Sequence, residues 1–330
     1  MSRPPRPPRP PRPPFEFAGS FIPAGRAAVV ELPIPQLVTG ARISLPVRIY
    51  HGRGEGPVVW VSAAIHGDEI GGVEIIRRVS TNLLPRKLHG TVLSVPIVNV
   101  HGFLTGDRYL PDRRDLNRSF PGSVKGSLAG RVAAAFMRDI VERSDVGIDL
   151  HTGSDHRTNL PQLRGDFDDP RTRELGRAFG APLMLHAGLR DGSLRAAATE
   201  AGVTVLLFEG GEAWRFDEDA IAVGTSGTLR VLAKLGMIDD GTADPDPPLE
   251  SRSSRWVRAR RSGIALVSVV LGERVTRGQR VAVIHDSLGR TLSRVSAPAD
   301  GVVIGLTQHP LVHQGDALVH IADTGSEDIP

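Results

Sequence analysis

Between residues 58 and 235 the apolar positions switch repeatedly between two spacings. Residues 58–64, 91–98, 146–150 and 203–208 are short β-branched or continuous apolar runs, which predict buried strands. Between them the spacing turns helical. Residues 73–84 carry apolar side chains at 73, 75, 76, 79, 83 and 84, and residues 128–141 place Leu128, Val132, Ala135, Phe136 and Ile140 on one face. Ser193 is placed to cap a helix running to Glu200, and residues 217–235 predict a further helix. Strands alternating with helices predict an α/β sandwich around a central, mostly parallel mixed sheet.

The flanks have a different texture. Residues 15–50 hold β-prone runs (28–32 and 43–49) broken by Gly and Pro, a β-rich opening to the unit spanning residues 15–237. Residues 238–255 are polar and rich in helix and strand breakers, and predict a linker. From 256 to 330 short apolar runs at 263–267, 278–284, 301–304 and 317–321 are divided by Gly and Pro turns, predicting a small all-β, barrel-like domain. Residues 1–14 repeat Arg-Pro-Pro four times; proline at this density forbids helix and sheet, and the expectation is a disordered, solvated tail.

Composition narrows the chemistry. The chain has no cysteine, which excludes disulfides, thiolate metal sites and cysteine nucleophiles, so any metal must be held by imidazole and carboxylate. The formal charge is +3, but Arg3, Arg6, Arg9 and Arg12 of the tail supply four of the positive charges, leaving the body at −1. The basic balance therefore gives no argument for a nucleic-acid partner. No run approaches the ~20 apolar residues that span a bilayer, and the expectation is a cytoplasmic protein without a membrane partner.

Three stretches follow predicted strands, where α/β folds expose functional loops. The first is Ala64-Ile65-His66-Gly67-Asp68-Glu69, whose His66 and Glu69 could turn toward one ion around a glycine. The second is Asp149-Leu150-His151-Thr152-Gly153, which offers a further imidazole. Zinc accepts two imidazoles and a carboxylate and keeps a fourth position for water. Either Asp68 or Asp149 could orient a ligand histidine from behind. In the third, Glu209 directly follows the apolar run 205–208; a carboxylate at the edge of such a dry run suits proton transfer. A loop segment, Arg113-Arg114-Asp115-Leu116-Asn117-Arg118-Ser119-Phe120-Pro121-Gly122, adds arginine forks and an amide suited to a carboxylate.

His-Gly-Asp-Glu, Asp-Leu-Asn-Arg-Ser-Phe-Pro-Gly, Asp-Leu-His-Thr-Gly and Phe-Glu-Gly-Gly, in that order, resemble the succinylglutamate desuccinylase/aspartoacylase family, relatives of the zinc carboxypeptidases. The resemblance implies a zinc-carboxypeptidase-like α/β/α sandwich followed by a C-terminal module similar to biotinyl or lipoyl carriers, though no lysine lies beyond Lys234 to carry either group. It implies one zinc ion per chain held by His66, Glu69 and His151, with Glu209 as general base. It also implies Asn117 and Arg118 as the substrate-carboxylate pair, and Arg108 polarising the scissile carbonyl, with Arg113 the competing match. Arg195 is a further candidate for substrate binding. The implied reaction is hydrolysis of an N-acyl amino acid, an acyl-diamino acid being one variant. A zinc carboxypeptidase acting on small peptides and a catalytically silent binding protein are the alternatives. The aspartoacylase tyrosine contributed by the C-terminal domain has no counterpart, since the only tyrosines are Tyr50 and Tyr109. A homo-oligomer is compatible with the sequence.

Overall fold

The computed structural model describes residues 12–36, 40, 42–154, 156–239 and 244–324. At its centre four parallel strands lie in the order His89–Val95, Gly54–Ala63, Val146–Gly153, Thr204–Glu212. Their middles are mostly apolar because helices cover both faces. Val59, Val61 and Ala63 meet the layer that includes Ile75, Ile76 and Val79 of helix Gly71–Asn82, Phe179 of helix Pro170–Phe179 and Ile221 of helix Glu218–Lys234. Trp60 points the other way, against Val132 and Phe136 of helix Leu128–Asp139, in a layer that also holds Leu194 and Ala198 of helix Leu194–Glu200. This is the α/β layering that the alternating periodicity predicts.

Helix starts follow side-chain chemistry. Ser193 accepts from the Ala196 amide at 3.2 Å and Asp217 from the Ala220 amide at 3.0 Å, each satisfying one of the unpaired amides at a helix N-terminus. Among the elements that the spacing does not announce are strand Arg157–Gly165, helix Pro170–Phe179 and strand Leu183–His186. The first is the important omission. It interrupts its apolar residues with Asn159, Pro161, Gln162 and Arg164, yet it pairs antiparallel with Thr204–Glu212 over Leu207↔Arg164 to Glu212↔Thr158.

The chain changes direction beside strand Gly54–Ala63. It runs first to His89–Val95 on one side, then crosses back to Val146–Gly153 on the other. Adjacent parallel strands whose connections diverge leave a crevice at their carboxyl ends, where ligands bind in open α/β sheets. His66 follows one of these strands and His151 lies in the other.

Two expectations about the flanks change. Residues 238–255 are not wholly linker: Leu249–Ser251 pairs in parallel with Leu183–Leu185, and the next strand, Ser254–Arg258, begins within that range. Nor do the last residues of the proline-rich tail float free. Arg12 donates to the carbonyls of Gly52 (3.3 Å) and Gly90 (2.7 Å), and the Pro13 carbonyl lies 2.9 Å from His51 Nε2. Residues 1–11 of the tail lie outside the described residues.

The C-terminal strands form two facing sheets around Val257, Val281, Ile284, Val303 and Leu318. One holds Thr291–Ser296, Arg280–His285, Gly263–Val267 and Leu311–Val312. The other is continuous with the central sheet, because Gly301–Thr307 pairs with Arg157–Gly165 through Gly305↔Asn159, Leu306↔Thr158 and Thr307↔Arg157. Ala317–Asp323 and Ser254–Arg258 extend it further, completing a 13-stranded mixed sheet.

His320, on Ala317–Asp323, is 4% exposed and stacks on Trp256 at 4.4 Å with an 11° interplanar angle. Burial, helped by the Arg164 charge, pushes its pKa down from 6.5 to about 3. The unfolded chain therefore binds a proton that the folded chain refuses between these values, so this ring's effect on stability is fully favourable only above pH 6.5 and is lost as pH falls toward 3. The expected slope is on the order of 1 kcal/mol per pH unit. Urea unfolding of wild type and His320→Phe across this range reads it as a difference, which cancels the carboxylates common to both. A difference that does not vary with pH would show that the ring's protonation is not coupled to folding.

Candidate functional site

The loop after Gly54–Ala63 is set by its backbone. Ala64 takes a left-handed conformation (φ 49°), turning the chain sharply at the strand's end. Gly67 then packs against the chain at Gly102 and Phe103 so closely that a Cβ there would lie 2.0 Å from the Gly102 carbonyl carbon. This contact pins His66 and Glu69 on either side of it.

Glu69 is the hub. One of its oxygens lies 2.7 Å from His66 Nδ1 and the other 2.8 Å from His151 Nδ1, while the Thr152 amide donates to the second oxygen at 3.2 Å. All three side chains are buried, and their candidate ligand atoms lie within 4.8 Å of one another. Behind His151, Asp149 accepts from Nε2 at 2.8 Å; Ser62 donates to Asp149 at 2.8 Å, and Trp60 donates to Ser62 at 3.2 Å. Asp149 is thus the carboxylate that orients a histidine. Asp68, the other candidate, is buried with its Oδ1 lacking a hydrogen-bond partner among the described residues.

The arrangement calls for positive charge. Asp149 can only accept, so the His151 proton sits on Nε2 and leaves the Nδ1 lone pair facing a Glu69 oxygen. Either a second proton or a cation must sit between them. Burial disfavours charged imidazoles, but Asp149 and Glu69 outweigh it at His151, and Glu69 and Asp115 outweigh it at His66, so both pKa values rise. Burial likewise works against the Glu69 carboxylate, yet the two imidazoles hold its pKa far below the ordinary range. Nδ1 of each histidine and the Glu69 carboxylate are a donor set that fits a divalent ion, with Asp149 fixing the outer nitrogen of His151.

The remaining candidates surround this cluster. Arg108 donates to Glu69 at 3.4 Å and to Asp115 at 3.1 Å, which places it beside the cluster. Its competitor Arg113 is exposed on a left-handed turn (φ 59°) and does not line the cleft. Asn117 is buried, with its Oδ1 accepting from the Leu194 amide at 2.9 Å; Arg118 is exposed and donates back to the Asn117 carbonyl. Arg195 is spent largely on the backbone, donating to the carbonyls of Ala187 (2.9 Å) and Gly188 (2.7 Å). Glu209 sits in register with His151 on the neighbouring strand.

Eight of the residues singled out in the sequence (His66, Glu69, Arg108, Asn117, Arg118, His151, Arg195 and Glu209) line one cleft of about 380 Å³. Glu209 differs from expectation in its surroundings. Instead of a dry strand end it meets one hydrogen-bond donor, Asn159 Nδ2 at 2.6 Å, and an ion-pair partner, Arg164, whose Nε lies 3.6 Å away. Asn159, Arg164 and the cleft-lining Arg157 all come from the strand that periodicity misses, and Trp256 comes from the C-terminal module to complete the wall. Trp256 had one usable signal, as the only tryptophan of the C-terminal 90 residues.

Comparison with known proteins accords with this geometry. Residues 55–235 match the succinylglutamate desuccinylase/aspartoacylase catalytic domain. The chain belongs to this family. Among family relatives, the N-alpha-acetyl-L-2,4-diaminobutyric acid deacetylase of Halomonas elongata is 30% identical over 295 residues, covering 85% of this chain and 86% of that protein. The crystal structure of a succinylglutamate desuccinylase/aspartoacylase from Rhodobacter sphaeroides superposes with a TM-score of 0.81 at 25% identity, over 90% of this chain and 96% of that one. The product-bound ectoine utilization protein EutE (DoeB) from Ruegeria pomeroyi has the same fold, with a TM-score of 0.82 at 23% identity over 91% and 97% of the two chains.

Two outcomes follow from the geometry. Zinc added to metal-stripped protein should raise thermal stability, by about 4 kcal/mol at a thousandfold excess over its dissociation constant. His151→Ala should abolish that rise; an equal shift in the variant would place the ion elsewhere. Separately, Gly67→Ala should lower the melting temperature and zinc affinity together, since the added Cβ must displace the backbone at Gly102.

Proposed function

We propose that the protein hydrolyses the amide bond of a small N-acyl amino acid, releasing a carboxylate and a free amine, with one zinc ion held by His66, Glu69 and His151. The observation that carries this reading is the placement of that cluster in one narrow cleft with Glu209 and with the arginines of two other segments. When bound, zinc supplies Lewis acidity for the attacked carbonyl and acidifies water.

The chain's own residues account for the rest. Asn117 and Arg118 anchor the substrate's α-carboxylate, the guanidinium fork providing paired donors. Asn117 is held for this by the Leu194 amide, which occupies its oxygen and turns its NH₂ group away from that bond. Arg108, beside the cluster, stabilises the negative charge that develops on the carbonyl oxygen. Glu209 takes a proton from the attacking water and delivers it to the leaving nitrogen as the C–N bond breaks. Asn159 fixes one Glu209 oxygen at 2.6 Å, which orients the other for proton transfer.

The 30% identical deacetylase makes an N-α-acetyl diamino acid the first compound to assay. The Trp256 wall favours small substrates over extended peptides, so zinc-loaded protein should turn over N-acetyl amino acids faster than C-terminal dipeptides. The reverse ranking would favour a carboxypeptidase. Glu209→Gln should lower kcat by about 10²–10⁴-fold while elemental analysis finds the zinc content unchanged; near-full activity in this variant would remove Glu209 from the base role. Arg118→Ala should act chiefly on KM, because it removes binding common to ground and transition states.

A further inference from the structure

The C-terminal module reaches the cleft through one side chain. Trp256 is carried by Ser254–Arg258, which joins the central sheet through Ala317–Asp323 and Gly301–Thr307. Its indole is held from several directions. The His320 ring stacks behind it at 4.4 Å, and the Arg157 guanidinium lies 5.6 Å from the indole centroid. Its edge lies against Gly305, where a Cβ would stand 3.4 Å from Trp256 Cη2 and 3.0 Å from Asn159 Oδ1. His320 is in turn fixed by Ser254 at 2.9 Å from its Nε2. The ring is thus backed on one face by His320 and at its edge by Gly305.

Its place relative to the substrate follows from the two sets of neighbours. The proposed carboxylate anchor, Asn117 and Arg118, is held by the start of helix Leu194–Glu200 and by Gly192. Trp256 is bordered by His320, Arg157 and Gly305, on other elements than those holding the anchor. The base Glu209 and its partner Asn159, which borders Gly305, connect them. An N-acyl amino acid has its carboxylate on one side of the scissile carbonyl and its acyl chain on the other. With the carboxylate at Asn117 and Arg118, the acyl chain extends toward the module.

We infer that Trp256 is a specificity-determining residue that abuts the acyl half of the substrate and restricts it to short chains, and that His320 is a positioning residue that keeps the indole in place. This deepens the deacylase reading and rests on it.

The test uses the full-length, zinc-loaded protein and the N-acetyl, N-butyryl and N-hexanoyl derivatives of one amino acid. Wild type should favour the acetyl compound in kcat/KM. Trp256→Ala should narrow the acetyl-to-hexanoyl ratio by at least roughly tenfold, the scale on which a pocket discriminates methylene groups. Trp256→Phe, which keeps an aromatic wall, should retain the acetyl preference. His320→Ala should shift the ratio toward that of Trp256→Ala, and His320→Phe, which restores a stacking ring, should return it. A change confined to melting temperature would mark His320 as merely structural. Calorimetric binding of the same compounds to Glu209→Gln and to Glu209→Gln/Trp256→Ala gives the ranking without turnover, and the longer acyl chains should gain affinity only in the double variant. Folded Trp256→Ala that keeps the wild-type acetyl-to-hexanoyl ratio in turnover, with no gain in affinity for the longer chains in the double variant, overturns the inference and leaves the deacylase reading intact. Absence of both turnover and binding for every N-acyl compound overturns the deacylase reading, and this inference with it.

Discussion

The architecture around the cleft depends on one electrostatic arrangement: a buried carboxylate, Glu69, gripped by two imidazoles that arrive from different strands. An ionised carboxylate in such a place is costly unless each oxygen is paired, and here each meets an imidazole nitrogen, with the Thr152 amide added to one of them. The pairing is possible only because strands Gly54–Ala63 and Val146–Gly153 are parallel neighbours that end side by side. Sheet topology thus brings together residues 82 positions apart, and the trio's shared need for a cation gives the crevice its chemistry.

Support for the trio is layered outward into the core. The line from Trp60 through Ser62 and Asp149 to His151 runs from the helix-packed interior of the sheet to the cleft, so a core tryptophan and a site histidine are connected by three hydrogen bonds. On the opposite side, Arg108 and Asp115 link the cluster to the loop bearing Asn117 and Arg118. Asp115 spans both roles: it lies 3.3 Å from His66 Nε2 and accepts from the Asn117 amide at 2.8 Å. The imidazole–carboxylate trio and the loop bearing Asn117 and Arg118 are therefore not mechanically independent.

Much of this was legible in the sequence, for identifiable reasons. The four parallel strands are buried on both faces, so they appear as apolar runs, and the helices against them show one-sided periodicity. The cluster residues stand out because they directly follow such runs. Strand Arg157–Gly165 was not legible, since side chains such as Asn159 and Arg164 serve the cleft and replace the apolar pattern that would announce a strand. The surroundings of Glu209 differ from expectation for the same reason: its hydrogen-bond donor, Asn159, and its ion-pair partner, Arg164, both come from that strand. Trp256 escaped because its relevance arises from sheet continuity, which no local spacing encodes.

That continuity has a further consequence. Without Gly301–Thr307, strand Arg157–Gly165 would present unpaired backbone amides and carbonyls along the stretch now bonded at Arg157, Thr158 and Asn159. A bare strand edge of this kind templates association with other chains. The C-terminal module therefore shields the α/β layer as well as narrowing its cleft, and the part bearing His66, Glu69 and His151 is not a self-sufficient fragment. Loss of the module by truncation or proteolysis would surface as a solubility defect, with sticky edges seeking a replacement strand, before it surfaced as altered selectivity.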